Sequence, residues 1–534
     1  MKTIHDLTDE EILEYRRNYR TIADAAEAMR NAGINTASEG SLQRRLKKIT
    51  SGKPKATDET DPRPLAGGTV VAPDKRRKKL EGTRFVFTSA QNNTYVHEGF
   101  LTALLNFCEY NEAQLIVSPF SYNKNGFQNG TKDDDEAWYD PRITEYFVDE
   151  SCEVAEGLVF CGELDILPTA VNPLSGFENY TQNASAIFPH TKVQLQSMPR
   201  MKDEQPRFLY TTGAVTLRNY IQRKAGQKAE FHHVFGALFV EIDDDGVWYA
   251  RQLIGDEQGR FYDLTNRYTE NGITPNQYVD AIVWGDIHLE KIDHEVANVS
   301  FHAPDSILNV LKPNYQFIHD IIDFTARNHH NIRNLKHLAE MQAAGTDDVY
   351  LELTKAGEFL KSISRPYVHT VVVESNHDQA FEKWLDEAII HTDPKNAWIY
   401  HSANAARFGA INAGVKMNIF QWAMHKFCSL PANLTFLEED ESFTLTGIEF
   451  GMHGHRGPNG ARGNPKAFRA IGRKVNTAHT HSAMIHEGVY VAGVTGKLDM
   501  GYNKGPSSWS HSHIIQYPNG KRAIITIKDG KWRA

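Results

Sequence analysis

Five short fragments in the second half of the chain end in residues that bind metal ions. YVDAIVWGDIH carries Asp286 and His288, YQFIHDIID carries Asp320 and Asp323, and YVHTVVVESNHD carries Asn376, His377 and Asp378. FTLTGIEFGMHGH ends in His453 and His455, and RKVNTAHTHSA holds His479 and His481. Each follows or closes an apolar run of strand character. Alternate residues beyond a strand point the same way, so Asp286 and His288 can reach one ion. Carboxylate, amide oxygen and imidazole together suit manganese (Mn²⁺), Fe²⁺ or Zn²⁺, and without thiolates a cysteine-type zinc site is not expected. A lone Asp-x-His or His-x-His is more often a surface feature. Five such fragments in succession, each placed after a strand, point to a metal centre.

The order D-x-H, D-x-x-D, N-H-D, H-G-H, H-x-H over roughly residues 278–515 resembles the calcineurin-like metallophosphoesterase superfamily. Three positions depart from that family: His319, Ser375 and Ala478 stand where it has glycine. These are backbone-permissive positions, so no donor is removed. The resemblance implies one ion held by Asp286, His288, Asp320 and His481, and another held by Asp320, Asn376, His453 and His479, with Asp320 bridging. Two such ions, about 3.5–4 Å apart, lower the pKa of a bridging water and clamp the attacking and leaving oxygens at phosphorus. In the second motif, His319 and Asp323 compete with Asp320 for the ligand role. The resemblance makes His377 the general acid for the leaving alkoxide, with Asp378 holding its other nitrogen. The alternative is a histidine that only orients the phosphate. His455 is either a substrate contact or a support for the ligands.

The family hydrolyses many phosphoesters, so the substrate must be argued from elsewhere. Between the fourth and fifth motifs, RGPNGARGNPKAFRAIGRK supplies Arg456, Arg462, Lys466, Arg469, Arg473 and Lys474. A basic, glycine-rich loop there suits several phosphates of a polymer. GYNKGPSSWSHSH adds Tyr502, Lys504 and Trp509, either to stack a base and hold its phosphate or, for Trp509, to pack against the sheet. The chain as a whole is similar to the nucleases with which tailed phages degrade host DNA early in infection, distant relatives of SbcD-type DNA-repair exonucleases. That implies a metal-dependent DNase. The alternatives are a phosphatase or small-molecule phosphodiesterase of the same fold, and a non-catalytic DNA-binding protein.

The elements that must position these residues are those of an α/β protein. Residues 276–534 are expected to form the catalytic domain, a calcineurin-like β-sandwich flanked by helices. Residues 83–275 precede it as an α/β domain of unassigned role, in which RFVFTSAQ, HEGFLTALLNFCEYN and AQLIVSPF predict strand, helix and parallel strand. Residues 1–50 predict a small helical unit. Thr8 and Glu11 fit a capping box, Ile12, Tyr15 and Tyr19 form a stripe, and Gly33 closes the second helix. A third segment bearing Arg44, Arg45, Lys47 and Lys48 makes the unit resemble a helix-turn-helix DNA-binding module, or else a docking unit. Residues 51–82 are a basic linker, whose run from Lys75 to Lys79 is either solvated or tracks a phosphate backbone.

The bulk numbers restrict the setting. At 534 residues the chain exceeds what one core supports. A net charge of -9 does not describe a simple nucleic-acid coat, but a metal centre attracts phosphate locally. The four cysteines make no CxxC pair and read as reduced thiols. The first residues become acidic at once, and no run is apolar enough to span a bilayer. The expectations are a cytoplasmic protein (host cytoplasm for a phage protein), DNA as partner, no membrane, and a homo-oligomer.

Overall fold

The computed structural model describes residues 7–18, 22–34, 42, 46, 77–122, 137–201, 204–325, 327–328, 331 and 334–533. It divides into two units, Met1–Asp74 and Lys75–Ala534. In the first, helices α1 (Asp9–Asn18) and α2 (Ile22–Asn31) enclose Leu7, Ile12, Ala25, Ala26 and Met29. The capping box forms: Glu11 N–H donates to Thr8 Oγ1 at 3.2 Å, and Thr8 N–H donates to Glu11 Oε2 at 2.7 Å. Gly33, at φ +86°, ends α2 by letting Ile34 N–H reach the Met29 carbonyl at 3.0 Å. The basic residues Arg44, Arg45, Lys47 and Lys48 lie outside the described residues, as do Tyr19, Lys75 and Arg76.

In the second unit the apolar runs of the sequence become strands. They are β1 (Ala281–Val283), β2 (Tyr315–Ile318), β3 (His369–Val373), β4 (Leu434–Leu437), β5 (Ile448–Glu449), β6 (Lys474–Thr477), β7 (Ser512–Gln516) and β8 (Arg522–Thr526). Six of them form one sheet in the order β4-β3-β2-β1-β7-β8, in which β1 to β4 run parallel, β7 pairs antiparallel with β1, and β8 pairs antiparallel with β7. The two-residue period of a strand divides its side chains between two cores. Ile282, Trp284, Ile318 and Val372 pack with Leu353, Leu360, Phe381, Phe420 and Met424 of the helical layer. Ala281, Val283, Phe317, Val371 and Val373 pack with Ile448, Phe450, Ala478, Ile485 and Tyr490 on the opposite side. The molecule is therefore mixed α/β, with one sheet covered by helices and by further sheet.

The first half of this unit contains the expected strand, helix and parallel strand: Arg84–Gln91, Glu98–Tyr110 and Gln114–Phe120. The strands Ser151–Ala155, Leu158–Cys161, Ser185–Phe188, Arg207–Thr211 and Leu195–Met198 belong to an eleven-stranded sheet that continues into Met484–His486, Val489–Val491, β6 and β5. The junction pairs Leu195 with Ile485 and Gln196 with Met484. The expected boundary at 275/276 thus falls inside a unit whose largest sheet is built by both segments. Lys78–Lys79, within the expected linker, pairs in parallel with Cys152 and Glu153 at the edge of that sheet.

A buried ion pair fastens the strand Trp248–Ile254 to Phe261–Asp263. Arg251 Nε and Nη2 donate to Asp263 Oδ1 and Oδ2 at 2.5 and 2.8 Å, and both side chains are buried. Asp263→Ala leaves a guanidinium buried without its carboxylate and should cost about 3–5 kcal/mol. A drop in the denaturant midpoint checks this; an unchanged midpoint would contradict it.

Candidate metal centre

The candidate ligands all follow the ends of strands. Asp286 and His288 follow β1, Asp320 follows β2, Asn376 follows β3, His453 follows β5, and His479 and His481 follow β6. This is the edge at which open α/β sheets bind ligands. Gly285 is required because the chain at Gly493 and Val494 passes against it: a Cβ there would meet Val494 N at 2.6 Å. Gly454, between His453 and His455, has φ +114°, and its Cβ would meet Thr477 Oγ1 at 2.6 Å. Strain is concentrated on the ligands themselves. His288, Asp320, His479 and His481 have φ of 46°, 46°, 70° and 57°, which non-glycine residues adopt only where their surroundings impose it.

Two groups of donor atoms result. Asp286, His288, Asp320 and His481 each present a ligand atom within 4.8 Å of the others, and all four are buried. His481 Nε2 lies 3.0 Å from Asp286 Oδ2 and 3.1 Å from His288 Nε2. Around His453 Nε2 stand Asn376 Oδ1 at 3.1 Å, His479 Nδ1 at 3.2 Å and Asp320 Oδ2 at 3.4 Å. Asp320 Oδ2 also lies 3.4 Å from His288 Nε2, so one oxygen faces both groups. Donors sharing an ion at about 2.0–2.2 Å in tetrahedral geometry stand about 3.3–3.6 Å apart, close to the spacing seen. Asp320 Oδ1 and both Asp286 oxygens are buried without a hydrogen bond of good geometry. Such carboxylates are costly unless a cation is paired with them. The cluster can hold a metal ion.

The charge states favour a cation. Burial pushes Asp286 up, with Asp320 beside it adding to the effect. Burial also opposes ionisation of Asp320, but His453, His377 and His288 outweigh it and hold this carboxyl well below the usual range. Burial brings His479 and His481 down to about 4 and His453 well below its ordinary value. At neutral pH these imidazoles carry lone pairs rather than charge, as ligation demands.

Asp323 lies behind this group. Its Oδ1 stands 3.1 Å from His288 Nδ1, fixing the ring so that Nε2 faces Asp320. Asp323 in turn accepts from Thr325 Oγ1 at 2.5 Å, and its own N–H donates to Glu290 Oε2 at 2.5 Å. Burial and the nearby Asp323 push Glu290 up to about 7. Between the competitors in the second motif, the donor facing both groups is Asp320. His319 packs beside His453 with ring centroids 5.5 Å apart and belongs to neither group. His377 Nδ1 donates to the Asp323 carbonyl at 2.9 Å. The expected support from Asp378 is not found there: Asp378 Oδ2 accepts from Ser375 Oγ at 2.9 Å, a short-range bond that turns the carboxylate into its own loop. Glu290 was missed in the sequence, its one signal being its alternation with Asp286 and His288, and Ser375 was read only as a departure from glycine, not as a partner of Asp378.

The expected substrate contacts divide into two classes. Arg462, Lys466 and Lys504 are exposed and make no ion pair among the described residues. Arg456 and His455 both turn to Glu439, His455 Nε2 at 3.0 Å. Arg469 pairs with Glu487 at 3.0 Å and Arg473 with Glu449 at 3.2 Å. Trp509 packs its ring 4.1 Å from that of His481, supporting a ligand rather than the sheet. No helix among the described residues is long and apolar enough to cross a membrane.

Comparison with known proteins identifies a relative. "Protein A1" of Escherichia phage T5 is 45% identical over 501 residues, covering 90% of this chain and 89% of the relative. No family model matches the chain, and no solved structure matches it significantly.

Two substitutions probe the centre without touching a ligand. Asp323→Asn should weaken Mn²⁺ binding about 10–100-fold by loosening His288, and titration calorimetry reads it directly. Gly454→Ala combines a forbidden φ with a clash at Thr477 and should lower both metal affinity and melting temperature. Metal affinity equal to wild type in both variants would contradict the geometry.

Proposed function

The chain belongs to the family of Protein A1 of Escherichia phage T5, and from that premise and the paired donor groups we propose that it is a two-metal phosphodiesterase that hydrolyses DNA. On this reading it is a phage enzyme of the calcineurin-like metallophosphoesterase superfamily that degrades host DNA in the host cytoplasm. The observation that carries the reading is Asp320 Oδ2, placed 3.4 Å from both His288 Nε2 and His453 Nε2. One carboxylate oxygen between two sets of donors is the arrangement that a bridged pair of cations requires.

Asp286, His288, Asp320 and His481 would hold one ion, and Asp320, Asn376, His453 and His479 the other. When bound, two divalent ions, Mn²⁺ before Fe²⁺ or Zn²⁺, supply Lewis acidity that favours deprotonation of water and offsets charge developing on the phosphate. The chain's own residues do the rest. Asp323 keeps His288 in one tautomer and orientation. His377, anchored through Nδ1 on the Asp323 carbonyl, presents Nε2 as the proton donor. As water oxygen bonds to phosphorus and the opposite P–O bond breaks, that proton passes to the leaving oxygen. The carboxylates of Asp320 and Asp323 favour the protonated ring, against the effect of burial. Arg462, Lys466 and Lys504, exposed and without an ion pair among the described residues, would contact flanking phosphates.

A second reading, a small-molecule phosphodiesterase, is favoured by the commitment of Arg456, Arg469 and Arg473 to the protein's own carboxylates. Digestion of linear and circular duplex DNA with Mn²⁺, beside an Asp320→Ala variant, separates the two. The DNase reading expects metal-dependent degradation that falls by about 10³-fold in the variant. Intact DNA beside rapid hydrolysis of bis-p-nitrophenyl phosphate would move the function to the second reading. DNA binding without turnover of either substrate would make the protein a non-catalytic DNA binder.

A further inference from the structure

The segment before residue 276 contributes a surface next to the basic loop of the metal centre. Helix Lys224–His232, with the sequence KAGQKAEFH, exposes Lys224 and Lys228, and its Phe231 is 83% exposed, more than any other large apolar side chain among the described residues. A phenyl ring left in water at such a level forgoes the free energy that burial would give it. The helix end that carries this ring lies against the basic loop. His232 Nε2 lies 3.7 Å from Glu487 Oε1, and Arg469 Nη1 lies 3.0 Å from Glu487 Oε2 and 3.4 Å from His486 Nε2.

Glu487 thus pairs with Arg469 and faces His232, with Lys228 acting from further off, and against the effect of burial its carboxyl lies below its usual range. Three cations, Lys224, Lys228 and Arg469, stand against the carboxylates of Glu487 and Glu230, so the local field is positive. Lys466 and Lys192 add to it: both disfavour the charged form of His486, after burial. Glu230, the only acid of the helix, is engaged by Gln222 at 2.8 Å. His486 follows the ligand His481 by five residues, which reach at most about 17 Å when fully extended. On the DNA reading, a strand held at the metal centre would pass within that range.

We propose that helix Lys224–His232, together with Lys466, is a DNA-contact surface beside the metal centre, on which Phe231 stacks an unpaired base while Lys224 and Lys228 hold the adjoining phosphates. The proposal rests on the DNA reading and assigns a role to the segment before residue 276. Exposed aromatic and basic residues side by side are what single-stranded nucleic acid requires: a platform for the base and a field for its backbone. Duplex DNA alone would use the cations and leave Phe231 idle.

The test is fluorescence anisotropy with a labelled duplex carrying a single-stranded overhang, and with the blunt duplex, across a salt series without Mn²⁺. Phe231→Ala should weaken overhang binding about 5-fold or more while leaving blunt duplex unaffected. Lys228→Gln should weaken binding to both and reduce the slope of log affinity against log salt by about 1. Both side chains are exposed, so melting temperatures should match wild type, and bis-p-nitrophenyl phosphate turnover with Mn²⁺ reads the metal centre separately. Wild-type affinity and salt slope in both variants would overturn this surface and leave the DNA reading standing. So would an altered oligomeric state of Phe231→Ala with DNA binding intact, which would make the ring a contact between copies. A wild-type protein that turns over the small diester but binds neither DNA would overturn both.

Discussion

Asp320 is buried among histidines, and the rest of the centre is arranged around that fact. A carboxylate removed from water has to be matched by positive charge or neutralised. Here His288 and His453 each point a nitrogen at the same oxygen, and burial keeps His453 and His288 from carrying the proton themselves. Asp320 Oδ1 and both oxygens of the neighbouring Asp286 are left without a hydrogen bond of good geometry. A cation held there would pair with these carboxylates.

Holding the donors in that geometry falls to the sheets. β1 to β3 and the strands β5 and β6 lie on opposite sides of one apolar core, and their following loops converge at the same edge. The loops are then bent through left-handed backbone at His288, Asp320, His479 and His481. Each such residue costs on the order of 1 kcal/mol or more, and a rigid double layer of strands is what sustains four of them together. Asp323 and Glu290 extend this rigidity outward from His288 by a chain of hydrogen bonds.

Much of this was legible in the sequence, for a definable reason. Strands announce themselves by apolar runs, and donors placed just beyond a strand are visible as motifs, so the seven candidate ligands could be named from spacing and resemblance. Three departures from glycine at His319, Ser375 and Ala478 looked like a loosening of the loops. The structure places the left-handed backbone one residue later in two of the three, on Asp320 and His479, so the bend is carried by the ligands. What spacing could not show was which group stands behind which. Asp378 follows His377 in the chain, yet Asp323 supports it, because proximity across a sheet edge is set by pairing register and not by sequence separation. Strand pairing across residue 276 was equally hidden, since the pairing of Leu195 with Ile485 leaves no local pattern in either segment.

The account turns on whether both donor groups bind together through Asp320. Anomalous diffraction from crystals grown with Mn²⁺ measures that directly. The account predicts two peaks about 3.5–4 Å apart, with Asp320 between them, Asp286 and His481 beside one, and Asn376 and His479 beside the other. A single peak that leaves His453 and Asn376 in hydrogen bonds to each other, or no peak at all, would contradict it.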